Sequence, residues 1–345
     1  MPTIVAEQVG IEPAKPTGQR TLANVQVLRA VAAILVVLFH SQAIGSNYGF
    51  RAHYLALFEN WGWNGVDLFF VISGFIMVYI QRQRRDTPWR FAVNRLFRIG
   101  PLYWTLTLVM TALFLLQPKL FNTNGIGWPW VVSSLAFLSQ ATQHGMPVLF
   151  DGWTLEFEML FYLIFALSLL HRSLGGALVA ASLMIVTWAF LFKTWIMFEF
   201  LYGVAIGWFY TRIRLNLATT LAISLAGAVL FVWPLFKNFS DIDRAVLYGM
   251  PAALIVYACV CSKQVQFGVL TSIGDASYSI YLLQIFTISG YYKLAARMHW
   301  PEQASDIYLI GSIAITVVSG WILYTAFERP VERRLRPLKR RFVRH

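Results

Sequence analysis

Charge is scarce in this chain: only 13% of its 345 residues are Asp, Glu, Lys or Arg, against about a quarter in a soluble domain. Hydrophobic residues make up 58%, and mean hydropathy is +0.59. A soluble fold is therefore excluded, because water could not solvate what such a chain left outside its core. Cysteine is also nearly absent. Cys259 and Cys261 stand two apart, which on a helix points them to different sides, and no His or Cys with zinc spacing lies near. They read as packing residues, and no metal is expected. There is no P-loop, Rossmann glycine pattern or HExxH, so bound nucleotide hydrolysis and zinc chemistry have no support. No cleavable leader is expected either. The N-terminus is polar and proline-bearing (Pro2, Pro13, Pro16), and residues 1–21 are expected to form a disordered cytoplasmic lead-in.

What is present is a series of eleven apolar stretches, the first at 22–44 and the last at 307–327, many near the ~20 residues that a bilayer core demands. The weakest, 129–141, is short and carries Ser133, Ser134, Ser139 and Gln140. A stretch of that length reads as re-entrant or interfacial. Ten spans remain, and both termini fall on one side. The basic residues agree: 21 of the 28 Lys and Arg then lie on the cytoplasmic side and seven outside. The net charge of +12 is concentrated in 82–98, at +5, and in 328–345, at +6, both beside apolar spans. It is a topology signal matched to anionic lipids rather than a nucleic-acid footprint. The expected fold is all-α, a polytopic membrane helix bundle of about ten transmembrane helices plus a short re-entrant or interfacial segment. Its expected divisions are the lead-in, a membrane domain at 22–328 and a basic cytoplasmic tail at 329–345.

Ionisable residues inside such spans are functional candidates. Arg29 and His40 stand eleven residues apart on the first span, which places them on one helix face, roughly 16 Å apart along the axis. Arginine suits phosphate, and histidine moves protons near neutral pH. Arg95 and Arg98, three apart, share a face and suit a polyphosphate ligand. Asp67 opens the second span on its outer side. Glu156 and Glu158 open the fifth stretch, but two residues apart they face nearly opposite ways, so at most one points inward. Ser73-Gly74 and Gly203/Gly207 read as small residues for close helix approach.

In order, Arg29–His40, Gly65-Val-Asp67-Leu-Phe-Phe-Val-Ile-Ser73-Gly74, Arg95-Leu-Phe-Arg98 with Pro101-Leu-Tyr-Trp104, and Trp153-Thr-Leu-Glu-Phe-Glu158-Met-Leu-Phe-Tyr162 follow one another. Ala276-Ser-Tyr-Ser-Ile-Tyr281 and Glu328-Arg-Pro330 complete the set. Together these strings resemble the acyltransferase-3 family of membrane acyltransferases, close to its ExoZ-like exopolysaccharide branch. The resemblance spans nearly the whole chain. It departs at Gln284, where many relatives carry histidine, and at Glu158-Met159, where an acidic pair is reduced to one carboxylate with Glu156 as an extra. No SGNH-type domain is expected after the last helix, and transfer is expected to finish within the membrane domain.

The resemblance implies a bacterial inner-membrane O-acyltransferase, multi-pass with both termini cytoplasmic. It would carry an acyl group, most often acetyl, from cytoplasmic acyl-CoA to a sugar hydroxyl of an exopolysaccharide, lipopolysaccharide or lipid-linked glycan. Arg29, Arg95 and Arg98 would hold the CoA phosphates. His40 would deprotonate the acceptor or carry the acyl group, with Asp67 or Glu158 orienting or charge-stabilising it. Acyl-CoA, the glycan acceptor and membrane lipids are the implied partners. A glycan or lipid transporter without covalent chemistry is the alternative, but the inverted repeats and broken helices such proteins show are not evident here.

Overall fold

The computed structural model describes all residues except 1–21, 60, 119–125, 143–144, 212, 214, 237–242, 266 and 344–345. The expected lead-in lies outside the described residues. Among the described residues the secondary structure is helical, with no strand. The helices are α1 (Ala23–Asn47), α2 (Gly65–Gln83), α3 (Pro88–Leu116), α4 (Trp128–Leu135), α5 (Trp153–Ser168), α6 (Leu174–Phe192) and α7 (Met197–Phe209). They continue with α8 (Leu217–Val232), α9 (Met250–Cys261), α10 (Gly268–Asp275), α11 (Ser277–Arg297), α12 (Ser305–Leu323) and α13 (Arg329–Val343). Two π-helical turns, Ala245–Gly249 and Tyr324–Glu328, run directly into α9 and α13.

Six helical runs are long and apolar enough to cross a membrane: Ala23–Asn47, Gly65–Gln83, Pro88–Leu116, Leu174–Phe192, Leu217–Leu235 and Glu302–Phe342. The other four places where the sequence puts a span are α5, α7, α9 and α11. Of these, α7 and α9 have only 13 and 12 residues, and α11 is polar, burying Ser277, Ser279 and Gln284. The stretch expected to be re-entrant contains α4, whose eight residues extend only about 12 Å.

The helix α2 is the axis of the bundle. Val66, Phe70 and Met77 join one hydrophobic cluster with α3, α5 and α7, while Leu68, Val71 and Phe75 join a second with α1 and α9. Its closest neighbour is α7. A Cβ on Gly74 would overlap the Phe200 carbonyl, and one on Gly203 would overlap the Val71 carbonyl and approach the Phe75 nitrogen. Both positions therefore need glycine so that the two backbones can meet. By contrast α8 leaves Leu217, Leu221, Leu225 and Val229 exposed at four-residue spacing, a stripe suited to lipid.

Two segments differ from the sequence reading. The basic stretch after α2 is already helical from Pro88, because Thr87 caps the helix by accepting from Arg90 N (3.3 Å) and proline occupies the first turn. The basic tail forms α13, which packs on α3: Trp89 Nε1 donates to the Phe342 carbonyl (2.7 Å), and the Phe97 and Phe342 rings lie 6.2 Å apart. Its apolar positions are too few to stand out from so many arginines. Replacing Gly203 with valine is expected to cost about 1–3 kcal/mol or more by wedging α2 from α7. A large fall in the thermal midpoint of the detergent-purified protein is the readout.

Candidate active site

Arg29 projects from α1, and Arg95 and Arg98 project from successive turns of α3. All three line one cavity, as does Glu158. The remaining polar wall is built by Ser73 of α2, Thr154 and Tyr162 of α5, and Tyr278 and Tyr281 of α11. Pro101 lies one turn beyond Arg98 inside α3 and removes a hydrogen bond from the helix ladder there.

The three arginines differ in their surroundings. Arg98 is paired with Glu328, whose other oxygen accepts from Ser279 Oγ (2.5 Å). Its guanidinium also lies 5.5 Å from the centre of the Tyr278 ring. Arg95 lies about equally far from the rings of Phe91 and Tyr162, at 6.0 and 5.9 Å, and Arg29 donates to Gln26 (3.2 Å). Among the described residues neither Arg95 nor Arg29 has a carboxylate at ion-pair distance. This end of the cavity therefore offers two cations with donors to spare, suited to an anionic ligand.

At its other end the cavity reaches Thr154 and Tyr281, whose hydroxyls lie 2.8 Å apart. Tyr281 donates to the backbone carbonyl of Asp151 (3.0 Å). The Asp151 side chain is fully buried: one oxygen accepts from Gln284 Nε2 (3.0 Å) and the other lies 3.5 Å from His40 Nε2. The His40 ring is held edge-on between Phe39 and Phe150. A carboxylate against one ring nitrogen fixes the ring orientation and leaves the other nitrogen to exchange a proton.

The three residues expected to act together are not brought into mutual contact: no hydrogen bond or ion pair joins any two of His40, Asp67 and Glu158. Glu158 accepts from Ser73 (2.9 Å) and from Tyr162, within the cavity. Asp67 is gripped by Arg244 through Nε (2.9 Å) and Nη2 (2.7 Å), with Glu199 also close to that guanidinium at 4.0 Å. Arg244 stacks 4.2 Å from the Trp63 ring centre. As the opposite-face expectation requires, Glu156 turns away from Glu158. It accepts from the backbone nitrogens of Ser139 (2.9 Å) and Gln140 (3.0 Å), tying the turn after α4 to α5.

Asp151 was not singled out from the sequence. It sits on the 3-10 turn Phe150–Gly152, where no helical period links it to any other candidate. Its position just before the Trp153 string was the only available signal. Among the described residues no cluster of three or more His, Cys, Asp and Glu is arranged to hold a metal ion.

The profile of the Acyltransferase domain family matches residues 22–325. The exopolysaccharide production protein ExoZ of Rhizobium meliloti (strain 1021) is 34% identical over 296 residues, covering 78% of this chain and 89% of that protein. The O-acetyltransferase OatA of Staphylococcus aureus (strain NCTC 8325 / PS 47) is 28% identical over 249 residues. That match covers 67% of this chain but only 38% of OatA. No solved structure matches the chain.

Asp67→Asn is expected to destabilise the fold by about 3 kcal/mol, because it removes the two-pronged charge partner of the largely buried Arg244 and leaves only the longer contact to Glu199. Glu158→Gln, at a half-buried cavity wall, should shift the thermal midpoint much less. Melting both variants in one detergent checks the contrast.

Proposed function

The chain belongs to the acyltransferase-3 family, and from that premise we propose that it is a membrane O-acetyltransferase using cytoplasmic acetyl-CoA. Its acceptor is a sugar hydroxyl of an exopolysaccharide or related surface glycan. One observation carries the reading: a single cavity joins an arginine cluster to the residues that hold Asp151 against His40. The separation of Arg29 and His40, about eleven helical residues or 16 Å, suits an extended pantetheine arm between phosphates and thioester.

In this reading Arg29 and Arg95, with Arg98, hold the CoA phosphates. His40 Nε2 faces Asp151, so the other nitrogen, Nδ1, takes the proton from the acceptor hydroxyl. That oxygen attacks the thioester carbonyl, the C–S bond breaks, and the imidazolium returns its proton to the CoA thiolate. Asp151 stabilises the imidazolium while it exists, and Gln284 keeps Asp151 in place. Direct transfer follows from this assignment, with no acyl-histidine required. Glu158, hydrogen-bonded by Ser73 and Tyr162, orients the cavity wall along which the arm runs. Ten spans, with the basic α2–α3 segment and α13 inside, put the arginines on the cytoplasmic side and His40 in the outer half.

Purified protein incubated with radiolabelled acetyl-CoA and a glycan-lipid fraction should transfer label to the glycan. His40→Ala should abolish transfer, and Asp151→Asn should lower kcat by about 10²–10⁴-fold. Transfer by His40→Ala at the wild-type rate would refute the mechanism. For the topology, Met146→Cys in a background lacking Cys259 and Cys261 should react with an impermeant thiol reagent from outside; reaction only after membrane disruption would reverse the assignment.

A further inference from the structure

The first turn of α11 is part of the cavity wall. Ser277, Tyr278 and Tyr281 line it together with Arg29, Arg95 and Arg98. The two tyrosines have partners: Tyr278 donates to the Ile99 carbonyl (2.7 Å) and Tyr281 to that of Asp151 (3.0 Å). Ser277 has none. It is fully buried, and its Oγ has no hydrogen-bond partner among the described residues. A buried hydroxyl in that state is costly, and native folds keep few of them.

The backbone around Ser277 presents more free donors. The helical ladder breaks at Ala276, the single residue between α10 and α11, and resumes where Ile280 N donates to the Ala276 carbonyl (3.0 Å). The nitrogens ahead of Ile280 have no partner in the ladder of α11, and no side chain caps them. The helix has 21 residues, so its dipole adds positive charge at this end. Asp275, the nearest carboxylate in sequence, forms no ion pair among the described residues. Arg29 is rooted beside the same break. It donates to Gln26 (3.2 Å), and a Cβ on Gly274 would overlap the Gln26 carbonyl, so the end of α10 touches the backbone of α1 there. Arg98 lies 5.5 Å from the centre of the Tyr278 ring. Backbone donors, a free hydroxyl and guanidinium groups on one wall are what a phosphate requires.

We propose that the N-terminus of α11, with Ser277 Oγ and Arg29, binds the diphosphate of the acyl donor. This deepens the acyl-CoA reading above and rests on it. The helix itself favours the diphosphate over the 3′-phosphate. From Ser277 it runs to Gln284, which holds Asp151 against His40. Those seven residues rise about 10 Å, and an anion seated ahead of Ser277 lies a little further back. The pantetheine arm begins at the diphosphate, and the 3′-phosphate stands beyond it on the ribose. One helix therefore holds the start of the arm at its first turn and steadies the reacting end two turns later.

The test uses the full chain in phosphatidylcholine nanodiscs, titrated by calorimetry with CoA, 3′-dephospho-CoA and inorganic pyrophosphate. Ser277→Ala should weaken all three about tenfold. Ser277→Asp sets a fixed carboxylate where the anion sits and should weaken them about 100-fold. Neither should lower the thermal midpoint, because Ala removes only an unpartnered oxygen and Asp suits a helix N-terminus. Ser173→Asp, the same change at the exposed start of α6, should bind CoA as wild type does. Should Ser277→Asp fail to fold, Ser277→Ala decides. Equal CoA binding by wild type and Ser277→Ala overturns the site. So does a loss confined to CoA, which would move the contact to the 3′-phosphate, or a lower midpoint for Ser277→Ala, which would make the hydroxyl a structural one. Wild type that binds pyrophosphate through Ser277 but not CoA refutes the functional reading and keeps the anion site; binding of no probe overturns both.

Discussion

The structure depends on the expense of placing an ionised side chain where water is excluded. Inside the bundle this rule sorts the charged residues into two kinds. Asp67 with Arg244, Glu328 with Arg98 and Asp151 with His40 each face a partner across helices. Among the described residues Arg29 and Arg95 have no carboxylate at ion-pair distance, and they border the cavity instead. Removing half of a buried pair costs more than the pair contributes, so the paired residues hold the helices in register. On the proposed function, the unpaired ones are where a ligand would supply the missing charge.

The same sorting separates two glutamates that sit almost side by side in sequence. Glu156 spends its carboxylate on two backbone nitrogens beyond α4, and Glu158 turns into the cavity beside Ser73 and Tyr162. A difference of two residues on a helix is about 200° of rotation, enough to send one carboxylate to a backbone turn and the other into the cavity. Close backbone contact between α2 and α7 then fixes the wall on which Ser73 stands.

What could be read from the sequence was what repeats with a helical period or a hydropathy run. Arg95 and Arg98 share a face, and the divergence of Glu156 and Glu158 follows from geometry alone. Contacts between distant helices could not be read. Arg244 lies 177 positions from Asp67, and nothing in either neighbourhood names the other. Asp151 escaped because a 3-10 turn has no long face to complete. The helicity of α13 was hidden for a different reason: its partly buried stripe, Val331, Leu335 and Lys339, holds only two apolar residues. The six clearly membrane-length runs were legible from hydropathy, while α7 and α9 are short and α11 buries polar side chains.

The π-helical turn at Tyr324–Glu328 has a bearing on how this chain can vary. Such a turn holds one residue more than an α-helical turn would, and each residue swings the following helix by about 100°. Glu328 closes that turn, and α13 starts immediately after it. Substitutions among the exposed positions there leave the phase of α13 unchanged. Loss of a single residue would instead rotate the entire terminal helix relative to Arg98, carrying Val331, Leu335 and Lys339 off α3 together. The number of residues in that turn therefore constrains the placement of α13 more than their identity does.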